Sequence, residues 1–585
     1  MPHHRIGTAR NQMAFVCLED QIEADNIVRV IDAFVDILDF NNLGFAHIQP
    51  KKTGTPPYHP SLMLRIYLYG YLNRVRSSRK LETECRRNIE MQWLCEKQIP
   101  CYHTIATFRT FEAKEDNINH KKALKEVFRA FNRFLNGQDL FGKETIATDG
   151  TKIRAQNSKK KNYTLDKLDK KIELSDASIS QYLDDLEQLD SLEKLSEEQE
   201  LLKVDAKSQL EKLEKWKKTF ETLKIELLNR QEVDPEVDPE VTQISLTDPD
   251  ARSIVINNSK HAEIAYNIVT SVDDKYKLIA NYLTENVKDI TLLADSLIAT
   301  KAELDTDFDS NLYKNEADEN FDLTQKLNPL KSLNGLADKG FHAAIQIHQC
   351  TENGIVTYIA VPQHTFSGKD KDFTIESFIY NHTDDTFTCP NNQILATNGK
   401  LYDKKNHRGI VVTQIKRYSM SPSICAACPF AQKCLSKTNI KHRNGRQLER
   451  SEFQQATVDN KNRMQTIAGK NIYKKRQAIV EHPFGTIKRQ WDCSYTLLKG
   501  LEKVNGEFAI VFTCYNLRRA VSILSVETLL QRLKTLKVSV TASLYCFFNA
   551  FLSLLVFFLS FNCVFRFVPC KANRVGFIKR LGLRF

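Results

Sequence analysis

Three carboxylates stand out by residue type and setting. Asp149 ends the alternating run TIATD, Asp338 follows the apolar stretch in SLNGLADKGF, and Glu481 lies within the basic segment YKKRQAIVEHPFGTIKRQW. Carboxylate oxygens suit a hard cation such as Mg2+. Where carboxylates meet in space they can hold two such ions roughly 3.5 to 4 Å apart, one activating an attacking oxygen and one stabilising the leaving oxygen of a phosphodiester. Such residues need not be close in sequence. Each is weak alone, since an isolated Asp-Gly after a strand is usually a turn. Asp248 and Asp250 in TDPDAR are nearby acidic alternatives, read as loop residues that support the site rather than as ligands.

A second chemical set is made of sulfur. Cys389, followed by Cys425-x2-Cys428-x5-Cys434, has four thiols, and a two-residue spacer lets one turn present two of them to a tetrahedral Zn2+. The competing reading is ordinary reduced cysteine. A zinc there would stiffen the chain between Asp338 and Glu481 and would not be the catalytic metal. Just beyond it, Lys437, Lys441, Arg443, Arg446, Arg450, Arg463, Lys474 and Lys475 form a dense basic stretch. Solvated charge is the default for such a run, but its position leading into the Glu481 segment favours contact with a phosphate backbone.

The elements that must position these groups are legible as periodicity. Residues 15–115 read as short helices with Ser77 and Ser78 as caps and Arg65, Arg74, Arg76, Arg79, Lys80, Arg86 and Arg87 between them, a helix-turn-helix-like pattern that suits DNA or a plain bundle with a basic face. The run 145–155 reads as a strand carrying Asp149 to its end. From 162 to 232 apolar residues recur at threes and fours among Glu and Lys, predicting a helical hairpin or coiled coil closed by EVDPEVDPEV, whose prolines stop a helix. HAEIAYNIVTSVDD and KYKLIANYLTEN read as strands joined by a turn at Asp273-Asp274, with a helix near 290–302 and a strand before Asp338. Residues 355–470 are β-prone and contain the cysteines, and 471–530 are helical again. Pro483 is tolerable if a helix begins near it, which would put Glu481 at a helix N-terminus. Glu481 and Lys488, seven apart, would then share a face.

The stretches PYHPSLMLRIYLYGYLNRVRSSRKLE, ATDGTKIRAQNSKK, TDPDAR, AYNIVTSVD, LADKGF and YKKRQAIVEHPFGTIKRQW together resemble the DDE transposases of bacterial insertion sequences, with an InsH-like N-terminal domain and an RNase H-like (IS4-like) catalytic domain. That resemblance implies an α/β fold: an RNase H-like core with a mixed sheet (140–160, 245–350 and 471–530), a helical N-terminal DNA-binding domain, an inserted coiled-coil hairpin and an inserted cysteine-bearing subdomain (355–470). It implies Asp149, Asp338 and Glu481 as catalytic, Mg-binding residues, with Mn2+ as a substitute. Tyr473, Arg476 and Lys488 match the signature that accompanies the Glu, although four residues separate Arg476 from Glu481 where some related groups have three. Lys474, Lys475, Arg443, Arg446, Arg76 and Arg79 are the further DNA-contact candidates. The implied activity is Mg-dependent strand cleavage and strand transfer on double-stranded DNA, element ends and target, by a homo-oligomer, with a dimer the simplest.

Charge supports a polyanion partner once it is divided. Of the net +11, residues 161–250 contribute 24 acidic and 13 basic residues, leaving 70 basic and 48 acidic elsewhere, near +22. Lys and Arg in such excess release counterions from phosphates. With 42% hydrophobic residues, the chain is neither disordered nor a disulfide miniature. No secretory signal is legible in MPHHRIGTARNQMAF, and the scattered cysteines suit a reduced interior, so a cytoplasmic, nucleoid-associated setting is expected. The 28 uncharged residues from Val538 to Phe565 are long enough to span a bilayer, which leaves membrane contact as an alternative. A catalytically inactive DNA-binding remnant is the other rival.

Overall fold

The structure is a computed structural model that describes residues 13, 15, 17–49, 56–113, 118–190, 196–233, 242–255, 262–306, 332–362, 371–405, 411–436, 440 and 444–536. The apolar stretch 538–565, Arg443 and most of EVDPEVDPEV lie outside the described residues.

Six helices open the fold: α1 (Ile27–Ile37), α2 (Pro60–Leu72), α3 (Ser78–Arg87), α4 (Ile89–Leu94), α5 (Tyr102–Phe108) and α6 (His120–Gly137). Their starts follow local chemistry: Pro60 stands in the first turn of α2, and the side chains of Asn26, Asn88 and Asn119 accept backbone N–H groups at the starts of α1, α4 and α6. Ser77 occupies the cap position of α3, but its side chain makes no capping bond.

The central sheet is built from β1 (Thr145–Arg154), β2 (Arg252–Val255), β3 (Ala262–Asp273), β4 (Ile279–Glu285), β5 (Leu333–Ala337) and β6 (Ile355–Ile359). Its order is β6-β5-β1-β3-β2, with β4 also paired to β3. β1, β3 and β4 form an antiparallel meander, whereas β5 runs parallel to β1 and β6 parallel to β5. Between β1 and β2 the chain leaves the sheet as α7 (Leu165–Asp190) and α8 (Glu197–Val233). These pack as an antiparallel pair: Lys217 reaches Asp176 at 2.5 Å and Lys224 reaches Asp169 at 2.6 Å, so one partner advances as the other retreats. Leu168, Phe220, Leu223, Leu227 and Ile244 bury the base of the pair, where Asn162–Tyr163 bonds to Ile244–Ser245.

After α9 (Leu293–Asp305) and α10 (Ala344–Glu352), a second sheet follows: β7 (Ile379–Asn381), β8 (Thr386–Thr388), β9 (Ile394–Lys405), β10 (Val411–Ser419) and β11 (Gln447–Ser451), antiparallel in sequence order. Two short helices, α11 (Pro422–Ala426) and α12 (Ala431–Cys434), sit between β10 and β11. This unit has its own small core of Phe378, Phe387, Leu395, Tyr418, Met420 and Leu448. The chain returns through α13 (Gln454–Gln465), α14 (Ile467–Phe484), α15 (Leu501–Leu524) and a final helix, Val526–Leu536.

α15 joins the ends of the sequence. It is buried along most of its length and packs on α2, α6 and β4. Asn516 accepts the Ile279 N–H at 2.9 Å and donates to Ile279 O and Asn132 Oδ1, which covers strand-edge groups that would otherwise lack partners. One continuous apolar core runs from Ile22 to Leu536, so the N-terminal helices are fused to the sheet rather than held apart as a separate head. Among the described residues no single helix is long and apolar enough to cross a membrane.

Candidate active site

Parallel pairing is what brings the first two carboxylates together. Leu336 of β5 lies opposite Ala147 of β1, and two more residues along each chain lead to Asp338, just past the end of β5, and Asp149 on β1, close enough for the Asp338 charge to act on Asp149. Asp338 stands directly after β5 and accepts the Gly340 N–H at 2.8 Å, opening a short 3-10 turn.

Asp149 differs from expectation in its setting. It is neither a turn residue nor at a strand end: β1 continues to Arg154, and Asp149 and Gly150 pair with Thr270 and Val269. Nine consecutive pairs with β3 hold this stretch extended. Gly150 is needed there for space, because a Cβ would come within 2.3 Å of Asp289 Oδ1. Asp289 in turn accepts from Lys152 Nζ at 2.8 Å and Asn267 Nδ2 at 2.7 Å. Lys152 follows Asp149 by three positions and so projects to the opposite side of β1.

α14 covers the Asp149 side. Arg476 Nη1 lies 3.6 Å from Asp149 Oδ2, beyond hydrogen-bond length, and is buried without a hydrogen-bond partner among the described residues. The Arg476 guanidinium also lies 6.0 Å from the Tyr473 ring. Burial pushes the Asp149 carboxyl up to about 6; Arg476 opposes this and the Asp338 carboxylate adds to it. Burial likewise raises the Tyr473 hydroxyl, with Arg476 opposing and both aspartates contributing. Two carboxylates in mutual repulsion, one of them held partly out of water, make a site whose charge favours a cation. Oxygen donors of this kind fit Mg2+.

Glu481 does not complete that pair in the structure. It is exposed near the end of α14, with Oε1 accepting from Gln477 Nε2 at 2.8 Å. Among the described residues no three His, Cys, Asp or Glu side chains are drawn to the spacing of a bound ion. The helix also begins well before Pro483, at Ile467, so Glu481 is not at an N-terminus. A proline inside a helix lacks the N–H for the preceding turn, and here a π-helical turn, Gly485–Gln490, follows it directly. Wider winding of that kind accommodates a break in the hydrogen-bond ladder. It also separates the two residues expected to share a face: Lys488 is half-buried and donates to Thr151 Oγ1 at 2.7 Å and Lys152 O at 3.3 Å, while Glu481 faces solvent. Burial and Lys152 lower the Lys488 ammonium, with Asp149 opposing.

The remaining basic candidates divide sharply. Lys474 and Arg79 are exposed, the latter stacked 4.2 Å from the Tyr102 ring. Lys475 is committed to Asp274 at 2.8 Å. Arg76 and Arg446 are corrections to the expected DNA face. Arg76 is buried and donates to Glu507 at 2.8 Å and to the carbonyls of Asp492 and Tyr495. Arg446 is buried against Phe378 and donates to the carbonyls of Cys434 and Phe373. In a basic sequence, charge alone does not separate a phosphate contact from an internal clamp.

Asp248 and Asp250 act elsewhere. Asp248 is buried, accepting from Tyr266 Oη at 2.8 Å and the Gly500 N–H at 3.1 Å, and Asp250 accepts the Leu501 N–H at 2.8 Å. They fix the first turn of α15, where acidic groups favour the free N–H donors. The residues missed in the sequence are Thr151, Lys152, Asn267 and Asp289. The first two sit in the quoted ATDGTKIRA run; the others carry no local signal and are brought in by β3 pairing and by the turn before α9.

Residues 16–111 match a family described as Transposase domain (DUF772), and residues 388–521 match a family described as Transposase DDE domain. No curated protein matches the chain, and no solved structure does.

Proposed function

We propose that the chain is an insertion-sequence DDE transposase, which cuts DNA at the ends of its element and joins the freed 3′-hydroxyl to a target by Mg-dependent phosphodiester chemistry. The observation that carries this reading is the placement of Asp149 on β1 beside Asp338, which directly follows the parallel neighbour β5, with Arg476 and Tyr473 against them. The sheet supports it too: an antiparallel meander of three strands extended by two parallel ones, β4-β3-β1-β5-β6, is a mixed sheet of the kind the sequence resemblance implies. The helical pair α7 and α8 is then the coiled-coil insertion, and the second sheet the cysteine-bearing one.

Asp149 and Asp338 would hold the ions, with Glu481 as the third carboxylate. Bound there, two Mg2+ would activate the attacking oxygen and stabilise the leaving one. Arg476, with a buried Nη1 free of hydrogen bonds among the described residues, receives a phosphate oxygen. Lys488, which reaches Thr151 on the Asp149 strand, and exposed Lys474 are further candidates for phosphate contact. For Glu481 to serve, it must give up Gln477 when DNA loads. Target and element DNA are double-stranded, and two protomers suit the joining of two ends.

The test is nicking of supercoiled plasmid by purified protein with Mg2+ or Mn2+. Cleavage by the wild-type chain and its loss in Asp149→Asn and Asp338→Asn support the reading. A Glu481→Gln chain that still cuts removes Glu481 from the site, and a wild-type chain that binds DNA without cutting it under either metal identifies an inactive remnant.

A further inference from the structure

We propose that Cys389, Cys425, Cys428 and Cys434 hold a structural zinc ion that pins the two short helices α11 and α12 to the second sheet. The four thiols come from two places 36 residues apart and line one small cavity of about 40 Å³. None forms a disulfide, and all four are partly buried.

Each sulfur sits at a tight turn. Cys389 directly follows β8 and begins the reversal into β9, where its carbonyl accepts the Asn392 N–H at 2.8 Å and its N–H donates to Gln393 O at 2.8 Å. Asn392 takes a left-handed backbone, φ 54°, which tightens the reversal. Cys425 and Cys428 flank the end of α11, with the Cys428 N–H donating to Cys425 O at 3.3 Å, and Cys434 closes α12. These are the compact loops that let a short spacer present two sulfurs to one tetrahedral centre.

Donors already point at three of the four sulfurs. The Gln393 N–H reaches Cys389 Sγ at 3.4 Å, the Arg446 N–H reaches Cys425 Sγ at 3.3 Å, and Asn391 Nδ2 reaches Cys428 Sγ at 3.6 Å. N–H groups aimed at sulfur are the outer-shell contacts that orient metal ligands. Four thiolates around Zn2+ leave two negative charges, and a buried cation stands beside them: Arg446 lines the same cavity and its Nε has no hydrogen-bond partner among the described residues. The sulfurs surround the cavity without yet standing at ligand spacing; closing to Zn–S distances of about 2.3 Å is the change that binding would drive.

The ion would also matter to the neighbouring site, because Arg446 leads through β11 and α13 into α14. Met420 N–H donates to Arg446 O at 2.9 Å, so the base of β11 is tied to the cysteine turns.

The full chain, purified without added metal and dialysed, should contain one zinc per chain by mass spectrometry of the metal. Exchange with Co2+ should give the sulfur-to-cobalt charge-transfer bands of a four-thiolate tetrahedral site. Cys425→Ser and Cys428→Ser should each lower zinc occupancy at least tenfold in the presence of a competing chelator, while Cys350→Ser, a buried cysteine outside the cluster, should not. A chain that binds no zinc, or whose Co2+ form lacks thiolate bands, overturns the proposal, and the Co2+ spectrum needs no variant to fold. Zinc retained in full by Cys428→Ser overturns it as well.

Discussion

Arg76 offers the sharpest test of the difference between a basic residue that meets DNA and one that holds the fold. Its guanidinium is 8% exposed and Glu507 is fully buried, with 2.8 Å between them. Glu507 also accepts the N–H groups of Leu497 and Leu498 at 3.0 and 3.1 Å. Removing one member of such a pair strands a buried charge, which costs about 3 to 5 kcal/mol, whereas removing both together costs far less. Glu507→Leu should therefore destabilise by about 4 kcal/mol, with about 1 to 3 kcal/mol more for the two stranded N–H groups. Arg76→Met should lose a similar 3 to 5 kcal/mol, and the double variant Arg76→Met/Glu507→Leu should be more stable than Glu507→Leu alone. The assay is urea unfolding read by the fluorescence of buried Trp491, the neighbour of Asp492, with Trp93 and Trp216 replaced by Phe. DNA binding supplies the second arm. Each neutralised phosphate contributes about 0.9 to the slope of log affinity against log salt, so Lys474→Ala should lower the slope by about that amount and Arg76→Met should leave it unchanged. An Arg76→Met chain with wild-type stability and a slope reduced by about 0.9 would refute the reasoning and return Arg76 to the DNA face.

Three further outcomes follow from the same geometry. His120 is buried, with Nε2 accepting the Ala46 N–H and Nδ1 facing Phe108 O, and burial lowers it to about 4; the unfolded chain binds the proton first, so stability should be full above about pH 6.5 and fall by about 3 kcal/mol as pH drops towards 4, a decline that His120→Gln should flatten. Asp149, raised from 3.8 to about 6, has the opposite sign: its contribution is fully present below about pH 4 and lost as pH rises through 6. Asp149→Asn should accordingly be more stable than wild type by up to about 3 kcal/mol above pH 6 in chelator, with the gain gone by about pH 4; a gain that ignores pH would contradict the burial argument. Gly150→Ala should displace Asp289 from Lys152 and Asn267 and cost about 1 to 3 kcal/mol, and pairing it with Asp289→Ala should recover part of that loss in a double-mutant cycle of thermal unfolding.

Much of this protein was legible in its sequence because the signals are local. Period-two alternation marked the strands around Asp149 and at 262–285, the threes and fours of apolar residues marked the α7 and α8 pair, and the small residues of LNGLA marked the strand that ends at Asp338. The two-residue cysteine spacer pointed to one cluster for the same reason, since a turn is a short-range object. Segment-scale chemistry, an α/β chain with a basic body and an acidic helical insertion, needs no knowledge of which element touches which.

What only the tertiary structure decided is partnership across distance. Parallel register between β1 and β5 sets Asp338 beside Asp149, although 189 positions separate them, and no local pattern encodes that register. The fate of each basic residue depends on burial: Arg76 finds a carboxylate 431 positions away, while Lys474 stays in solvent. Near Glu481 local reasoning failed for a definable cause, because Pro483 did not start a helix but sat inside one, and the π-helical turn beyond it rotated Lys488 onto β1. Sequence fixes which groups are available to do chemistry; packing and strand register, through burial and desolvation, decide which of them meet and with what charge.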